Sequence, residues 1–153
     1  MIRKCIFFLL ALLAFSASAQ ISFNTGSVQL DTDLNMINTR ATANFSAFRS
    51  DLSLSFGVSG KKIDHMHTSL HMAPGEIYLA FELSKLSRVS IDRVVTVYET
   101  NKKKGWGVIA KELGIKPGSP EFHQLKNNAG KNKNKGKGNS KSKGNGKGKS
   151  KKK

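Results

Sequence analysis

One segment, residues 104–125, constrains the fold of this 153-residue chain more than any other. It contains the only tryptophan and two of the three prolines. Four apolar residues recur at the i, i+3, i+4, i+7 spacing of one helix face: Trp106, Ile109, Ala110 and Leu113. Gly114 follows, where a left-handed cap residue is expected, and Pro117 prevents the helix from continuing. The pattern therefore predicts a short helix that ends near Gly114.

A second helix is predicted to begin directly after this break. Ser119 is a suitable N-cap, and Pro120 fits the first helical position. Phe122 and Leu125 would then face back across the turn. We interpret the segment as a helical hairpin held by Trp106, in which Gly114, Ser119 and Phe122 have structural roles. The alternative is a DNA-reading helix-turn-helix, but an ordinary packed hairpin is the more frequent structure.

The N-terminal end has the three parts of a signal peptide. Basic residues at 3–4 precede an apolar run over 6–15, and Ala17-Ser18-Ala19 fits the small-residue cleavage rule. The sequence therefore predicts a signal peptide over residues 1–19 and an exported protein, periplasmic or secreted. The run is shorter than the ~20 apolar residues that span a bilayer, so no transmembrane segment is expected after cleavage. The only cysteine, Cys5, lies in this leader, so the mature chain has no thiol chemistry.

Positive charge is concentrated at the C-terminal end. Residues 130–153 contain 11 of the 26 basic residues of the chain and otherwise only Gly, Asn and Ser. The segment 20–129 has 13 basic and 10 acidic residues, a net charge of +3. A stretch without apolar side chains cannot offset the entropy of ordering, so we expect residues 129–153 to be a disordered basic tail.

The composition of this tail also predicts its partners. It has no aromatic residue with which to stack bases, so it offers charge without sequence readout. We therefore expect it to bind anionic polymers: lipopolysaccharide, an anionic lipid surface or extracellular nucleic acid. The alternative is a solubilising spacer. The predicted polyanion-binding residues are the tail lysines: Lys131, Lys133, Lys135, Lys137, Lys141, Lys143, Lys147, Lys149, Lys151, Lys152 and Lys153.

The remaining sequence predicts an all-α fold. Residues 20–44 are rich in Asn, Thr, Ser and Asp, and we interpret them as an irregular or extended segment. Residues 45–128 show apolar stripes at helical spacing, separated by short breaks that contain Gly, Ser or Pro. The run 77–86 is apolar on most sides and should be central. We expect a small domain of about five short helices, arranged as helical hairpins.

Three runs of sequence are characteristic: Phe-Gly-Val-Ser at 56–59, Met-Ala-Pro-Gly-Glu-Ile-Tyr-Leu-Ala at 72–80 and Gly-Trp-Gly-Val-Ile-Ala-Lys-Glu-Leu-Gly-Ile-Lys-Pro-Gly-Ser-Pro-Glu-Phe-His at 105–123. With the Lys/Gly/Asn tail, they resemble a group of small exported bacterial proteins that has no assigned function. The resemblance covers about residues 45–153. It implies a bacterial, exported origin and carries over no catalytic or binding residue.

A histidine cluster suggests metal chemistry. On a continuous helix Asp64, His67 and His71 would lie above one another at i, i+3 and i+7, with His65 nearby, and would present imidazoles and a carboxylate to one metal ion. A periplasmic metal-binding or metal-stress protein is therefore an alternative function. No fourth ligand is evident, and ordinary core or surface histidines are the simpler interpretation.

Enzymatic chemistry is not expected. His123 lies near Ser119, but neither a carboxylate partner nor an oxyanion motif accompanies them. The run Gly57-Val-Ser-Gly60 lacks the spacing of a nucleophile elbow. We therefore expect no catalytic residue and no cofactor. The sequence favours an exported, non-enzymatic protein that attaches to envelope or matrix polyanions, and a protein-interaction domain that docks through the Trp106 hairpin is a further alternative.

Overall fold

The computed structural model describes residues 21–135, and these form an all-helical structure without strands. Seven α-helices occur in this part of the chain: α1 (Val28–Ala43), α2 (Phe45–Phe56), α3 (Gly60–Thr68), α4 (Pro74–Ser87), α5 (Ile91–Asn101), α6 (Trp106–Glu112) and α7 (Pro120–Asn132). A single 3-10 turn, Lys102–Lys104, joins α5 to α6. The predicted all-α class is confirmed, whereas the expected number of about five helices is too low. The predicted signal peptide lies outside the described residues. None of the helices within 21–135 combines the length and hydropathy needed to cross a bilayer.

Helix α4 is the centre of the structure. Its residues from Ile77 to Leu83 are all buried, because other helices surround it. It packs against α1, α2, α3, α5 and α7. A helix that is apolar on most sides has to be covered on most sides, as the sequence predicted for this run.

Helix α1 corrects the prediction of an irregular or extended segment over 20–44 for residues 28–43, whereas 21–27 are not helical. Its buried residues follow one helix face at the spacing i, i+4, i+7, i+11: Leu30, Leu34, Ile37 and Ala41. The Ser27 side chain caps its first turn by accepting a hydrogen bond from the Leu30 amide. Thr32, Thr39 and Thr42 each donate a hydroxyl hydrogen bond to the carbonyl four residues earlier. These threonines, which suggested a loop, therefore lie on the solvent-facing side of a helix.

The residues that precede α1 are irregular, with positive φ values at Asn24 and Gly26, and attach to α6. Phe23 is fully buried. Its carbonyl accepts a hydrogen bond from the Trp106 amide at 2.9 Å, and the Asn24 carbonyl accepts one from the Gly107 amide at 2.9 Å. These two bonds satisfy donors that the first turn of α6 would otherwise leave unpaired. A larger residue would be tight at Gly107, because a Cβ atom would lie 3.0 Å from the carbonyl oxygens of Asn24 and Thr25.

The ordered part of the chain extends further towards the C-terminus than predicted. Helix α7 continues to Asn132, beyond the predicted start of the tail at residue 129. Arg40 donates to the carbonyl oxygen and to the side-chain oxygen of Asn132, which places a cation at the negative end of α7. Lys133 forms an ion pair with Asp33, Nζ to Oδ1 2.6 Å. The prediction of disorder is therefore wrong for 129–135, which contact α1 through Asn132 and Lys133 and α2 through Lys135. Residues 136–153 lie outside the described part.

Substitution by alanine at two helix glycines, Gly75 and Gly130, is expected to change the free energy of unfolding in opposite directions. A Cβ atom at Gly75 would lie 2.7 Å from Cζ of Phe23 and 2.9 Å from the Leu34 carbonyl oxygen. Gly75→Ala should therefore cost about 1–3 kcal/mol of the free energy of unfolding, as overpacking does. At Gly130 the nearest atom, Oδ2 of Asp33, would be 3.5 Å away, which is an ordinary contact. Gly130→Ala should stabilise the chain by up to about 1 kcal/mol, because alanine favours the helix.

Urea unfolding of both variants measures this difference. Equal stability of the Gly75→Ala and Gly130→Ala chains would contradict the close packing of α4 on α1 and Phe23.

Candidate functional site

The predicted metal residues do not form one site. Helix α3 ends at Thr68, and His71 has a positive φ of 53°, so the chain has turned away before it reaches His71. The alignment of Asp64, His67 and His71 required a continuous helix and is absent for this reason.

These side chains have other contacts. Asp64 forms an ion pair with Arg49, Oδ1 to Nε 2.8 Å. The His67 ring stacks on Phe45 with centroids 4.4 Å apart, and its Nδ1 lies 2.9 Å from the Met72 carbonyl oxygen. His65 is exposed. Across 21–135, no three His, Cys, Asp or Glu side chains are placed to hold a metal ion. The contacts of His67 connect α3 to α2 and to the start of α4.

The two predicted helices and the break between them are confirmed, but their packing as a hairpin is not: α6 packs mainly against α5, whereas α7 packs against α1 and α4. Gly114 has a φ of 86°, and the amide of Ile115 donates to the Ala110 carbonyl at 2.8 Å, which closes the end of α6. Ser119 caps α7 by accepting a hydrogen bond from the Phe122 amide at 3.1 Å, and Phe122 is buried. Because the Ser119 hydroxyl caps a helix, its role here is structural.

Trp106 lies inside the structure, where it joins three helices. Its indole ring is 3% exposed and stacks on Tyr98 with centroids 5.0 Å apart. Its Nε1 donates to Oε1 of Glu76 at 3.2 Å, and the Tyr98 hydroxyl donates to the same carboxylate at 3.3 Å. Glu76 also accepts from the Ala73 amide at 2.9 Å, which caps α4. A buried indole does not present itself to a partner, so this geometry does not favour docking through Trp106.

Both tyrosines of the chain are hydrogen-bond donors to a glutamate. Burial raises the pKa of the Tyr98 hydroxyl, and the charge of Glu76 raises it further. Burial likewise raises the pKa of Tyr78, and the neighbouring Glu82 carboxylate adds to the effect. The two hydroxyls therefore stay protonated through the neutral range and keep donating.

The second glutamate lies at the bottom of a groove. Glu82 is 5% exposed; its Oε1 accepts from the Tyr78 hydroxyl at 3.2 Å, and its Oε2 accepts from Nδ2 of Asn128 at 2.8 Å. The groove has a volume of about 240 Å³ and is formed by α2, α4, α7 and the turn after α7. Eight residues line it: Ser55, Phe56, Glu82, Lys85, Asn128, Lys131, Asn132 and Lys135. We call it the α2/α4/α7 groove.

Three lysines give this groove its charge. Lys85 belongs to α4, Lys131 to α7, and Lys135 to the turn that follows α7. Nζ of Lys135 lies 3.3 Å from Oγ of Ser55 on α2. Lys133, which lies between Lys131 and Lys135 in the sequence, pairs with Asp33 and does not line the groove.

Only part of this site was visible in the sequence. Lys131 and Lys135 were predicted as polyanion-binding, but as members of a free tail. The remaining lining residues were missed. The spacing i, i+3, i+4, i+7 was the available signal on one face of α7: Asn128, Lys131, Asn132 and Lys135. The other predicted lysines lie outside the described residues: Lys137, Lys141, Lys143, Lys147, Lys149, Lys151, Lys152 and Lys153.

Comparisons of the chain with protein-family models, with curated proteins and with solved structures found no match. The resemblance of the 105–123 motif to small exported bacterial proteins therefore stays a prediction. The charge distribution of the chain and the geometry of the groove are the observations that bear on function.

Proposed function

We propose that this is an exported, non-enzymatic protein that attaches to anionic polymers of the cell envelope or its surroundings through its lysine-rich C-terminal segment. One observation carries the proposal. Residues 130–153 contain 11 lysines and no acidic residue, whereas the segment 20–129 has a net charge of only +3. Such segregation concentrates the attraction for polyanions at one end of the chain.

The way this end joins the folded part supports a tethering role. Asp33, which pairs with Lys133, is 2% exposed, so the junction includes a buried ionic contact. Arg40 holds the last turn of α7 from the same helix. The lysines after Lys135 therefore begin at a fixed point, and tension on them would be transmitted to α1 and α7 in the core.

The chemistry of the lysines sets the class of ligand. Lysine ammonium groups act as point charges, and residues 130–153 have no aromatic side chain on which bases can stack. Ligands that fit are repeating anions outside the cytoplasm: lipopolysaccharide, anionic lipid surfaces and extracellular nucleic acid. Discrimination between base sequences is not expected, because contacts to phosphate carry no sequence information.

A matched pair of chains tests the proposal. The first is the mature chain, residues 20–153, and the second has the eight lysines after Lys135 replaced by glutamine, which keeps length and removes charge. With about half of the lysines engaged, log K of the first chain for duplex DNA should fall against log salt with a slope of roughly −4 to −5. The glutamine chain should bind roughly 100-fold more weakly at low salt.

Lipopolysaccharide and anionic vesicles should give the same ranking, and DNA duplexes of different sequence should bind equally. If the glutamine chain binds as tightly as the original, or the salt slope is near zero, the tethering function is wrong.

A further inference from the structure

We propose that the α2/α4/α7 groove binds one acidic sugar unit, carboxylated or phosphorylated, of an anionic polysaccharide. The inference rests on the proposed function and gives it a ligand class. The groove would bind one sugar unit specifically, whereas the lysines after Lys135 would bind the polymer without specificity.

The groove lysines have charge available for a ligand. The ion pairs found within 21–135 use Arg49, Lys62 and Lys133, and none of the three groove lysines takes part in one. Besides these three lysines, the lining has one charged side chain, the Glu82 carboxylate. The lining therefore has an excess of two positive charges, which favours an anionic group at the rim.

The bottom of the groove requires something besides an anion. Each Glu82 oxygen accepts one hydrogen bond, from Tyr78 or from Asn128, and has capacity for another. A bare anion beside this carboxylate would be repelled, whereas a hydroxyl group can donate to it. The amides of Asn128 and Asn132 and the hydroxyl of Ser55 add polar groups of the kind that bind sugar hydroxyls. A small sugar ring with one anionic group and several hydroxyls can bind the lysines through the anion and Glu82 through a hydroxyl.

Size and shape favour a sugar over a nucleotide. About 240 Å³ is below the usual size of sites for drug-sized ligands, which suits a single hexose unit. The one aromatic ring of the lining, Phe56, stacks on Phe81 with centroids 5.4 Å apart, and Nζ of Lys85 lies 5.9 Å from its centroid. A ring covered in this way offers little surface for a base.

The groove also lies where a polymer would meet the rest of the basic segment. Lys135, which lines it, is followed in the sequence by Lys137 and the later lysines. A polysaccharide with one unit in the groove would therefore have its neighbouring charges close to the start of that segment.

Nuclear magnetic resonance of the mature chain, residues 20–153, tests the groove directly. The probes are D-galacturonic acid and D-glucose 6-phosphate, with D-galactose and inorganic phosphate as comparators. We expect both acidic sugars to shift the side-chain amide signals of Asn128 and Asn132 saturably. Binding should be about tenfold tighter than for either comparator, because each comparator lacks one of the two required groups.

Lys85→Gln should weaken this binding about tenfold, because it removes a charge from the rim. Lys111→Gln, which changes an exposed lysine on α6, should leave it unchanged. Neither substitution alters the lysines of residues 130–153, so both variants should bind duplex DNA as the original chain does.

Each remaining outcome has a defined meaning. If no acidic sugar shifts the Asn128 and Asn132 amides, the groove inference is wrong. The tethering function is then decided separately, by comparing polymer binding of the original chain and the glutamine chain. If inorganic phosphate shifts them as strongly as glucose 6-phosphate, the groove is a simple anion site and the sugar assignment is wrong. If the groove binds acidic sugars while the glutamine chain still binds duplex DNA as tightly as the original chain, the tethering function fails instead.

Discussion

Replacement of Trp106 by alanine is expected to lower the free energy of unfolding by about 3–5 kcal/mol. The indole is 3% exposed and stacks on Tyr98, so its removal leaves a cavity between α5 and α6. It also removes one donor from the Glu76 carboxylate, which caps the central helix α4. A loss of this size is a large fraction of the stability of a small domain.

The control for this variant is Trp106→Phe, which keeps an aromatic ring and removes only the Nε1 donor and part of the volume. It should cost about 2 kcal/mol, mostly the hydrogen bond to a charged acceptor. Urea unfolding followed by far-ultraviolet circular dichroism compares the chains without relying on tryptophan fluorescence. A loss below about 1 kcal/mol for Trp106→Ala would be incompatible with a buried indole.

Lys133→Ala is expected to destabilise the structure by about 2–3 kcal/mol. The side chain of Asp33 is only 3% exposed, so loss of its ammonium partner leaves a carboxylate buried without a compensating charge. Gln29 still donates to Asp33 at 3.0 Å and the Lys133 side chain is 25% exposed, so the cost stays at or below the low end of the roughly 3–5 kcal/mol for broken buried pairs. Lys131→Ala and Lys135→Ala change exposed lysines two positions away and should stay within about 0.5 kcal/mol of the original chain.

Two truncations extend the test. Composition alone predicts that deletion of 130–153 leaves the melting temperature unchanged, since no apolar residue is lost. The structure predicts instead that a chain ending at Ala129 melts earlier, because it loses Lys133 and the contact of Arg40 with Asn132. A chain ending at Lys135 keeps both and should melt with the full chain. Equal melting temperatures for the two truncations would mean that the junction contributes nothing to stability.

Local signals in the sequence were sufficient for much of the fold. The bounds of α6 and α7 were predictable because their caps, Gly114 and Ser119, lie within a few residues of the helices they end or begin. The central position of α4 followed from its near-continuous apolar composition. Both features depend on neighbours in the chain, which a sequence displays directly.

Features that depend on distant partners were not predictable in the same way. Helix α1 was missed because its threonines and asparagines are typical of loops, although four apolar residues had helical spacing. The end of α7 was missed because the residues that stabilise it, Asp33 and Arg40, lie on α1. The groove was missed for the same reason, since Ser55 and Lys85 come from two other helices. The metal site failed because α3 ends at Thr68, before His71.

The pairing of α1 with α7 has a consequence for how the chain reaches this structure. Asp33 and Lys133 are 100 positions apart, and Arg40 and Asn132 are 92 apart. Helical proteins fold fast when most contacts join near neighbours, because little chain has to be ordered before each contact forms. A chain that passes through a narrow pore with its N-terminal end first can pack α1 on α2 and α4, but the face of α1 that meets α7 stays uncovered until α7 has followed. Such late closure suits a chain that crosses a membrane unfolded, and it is consistent with the export that we propose.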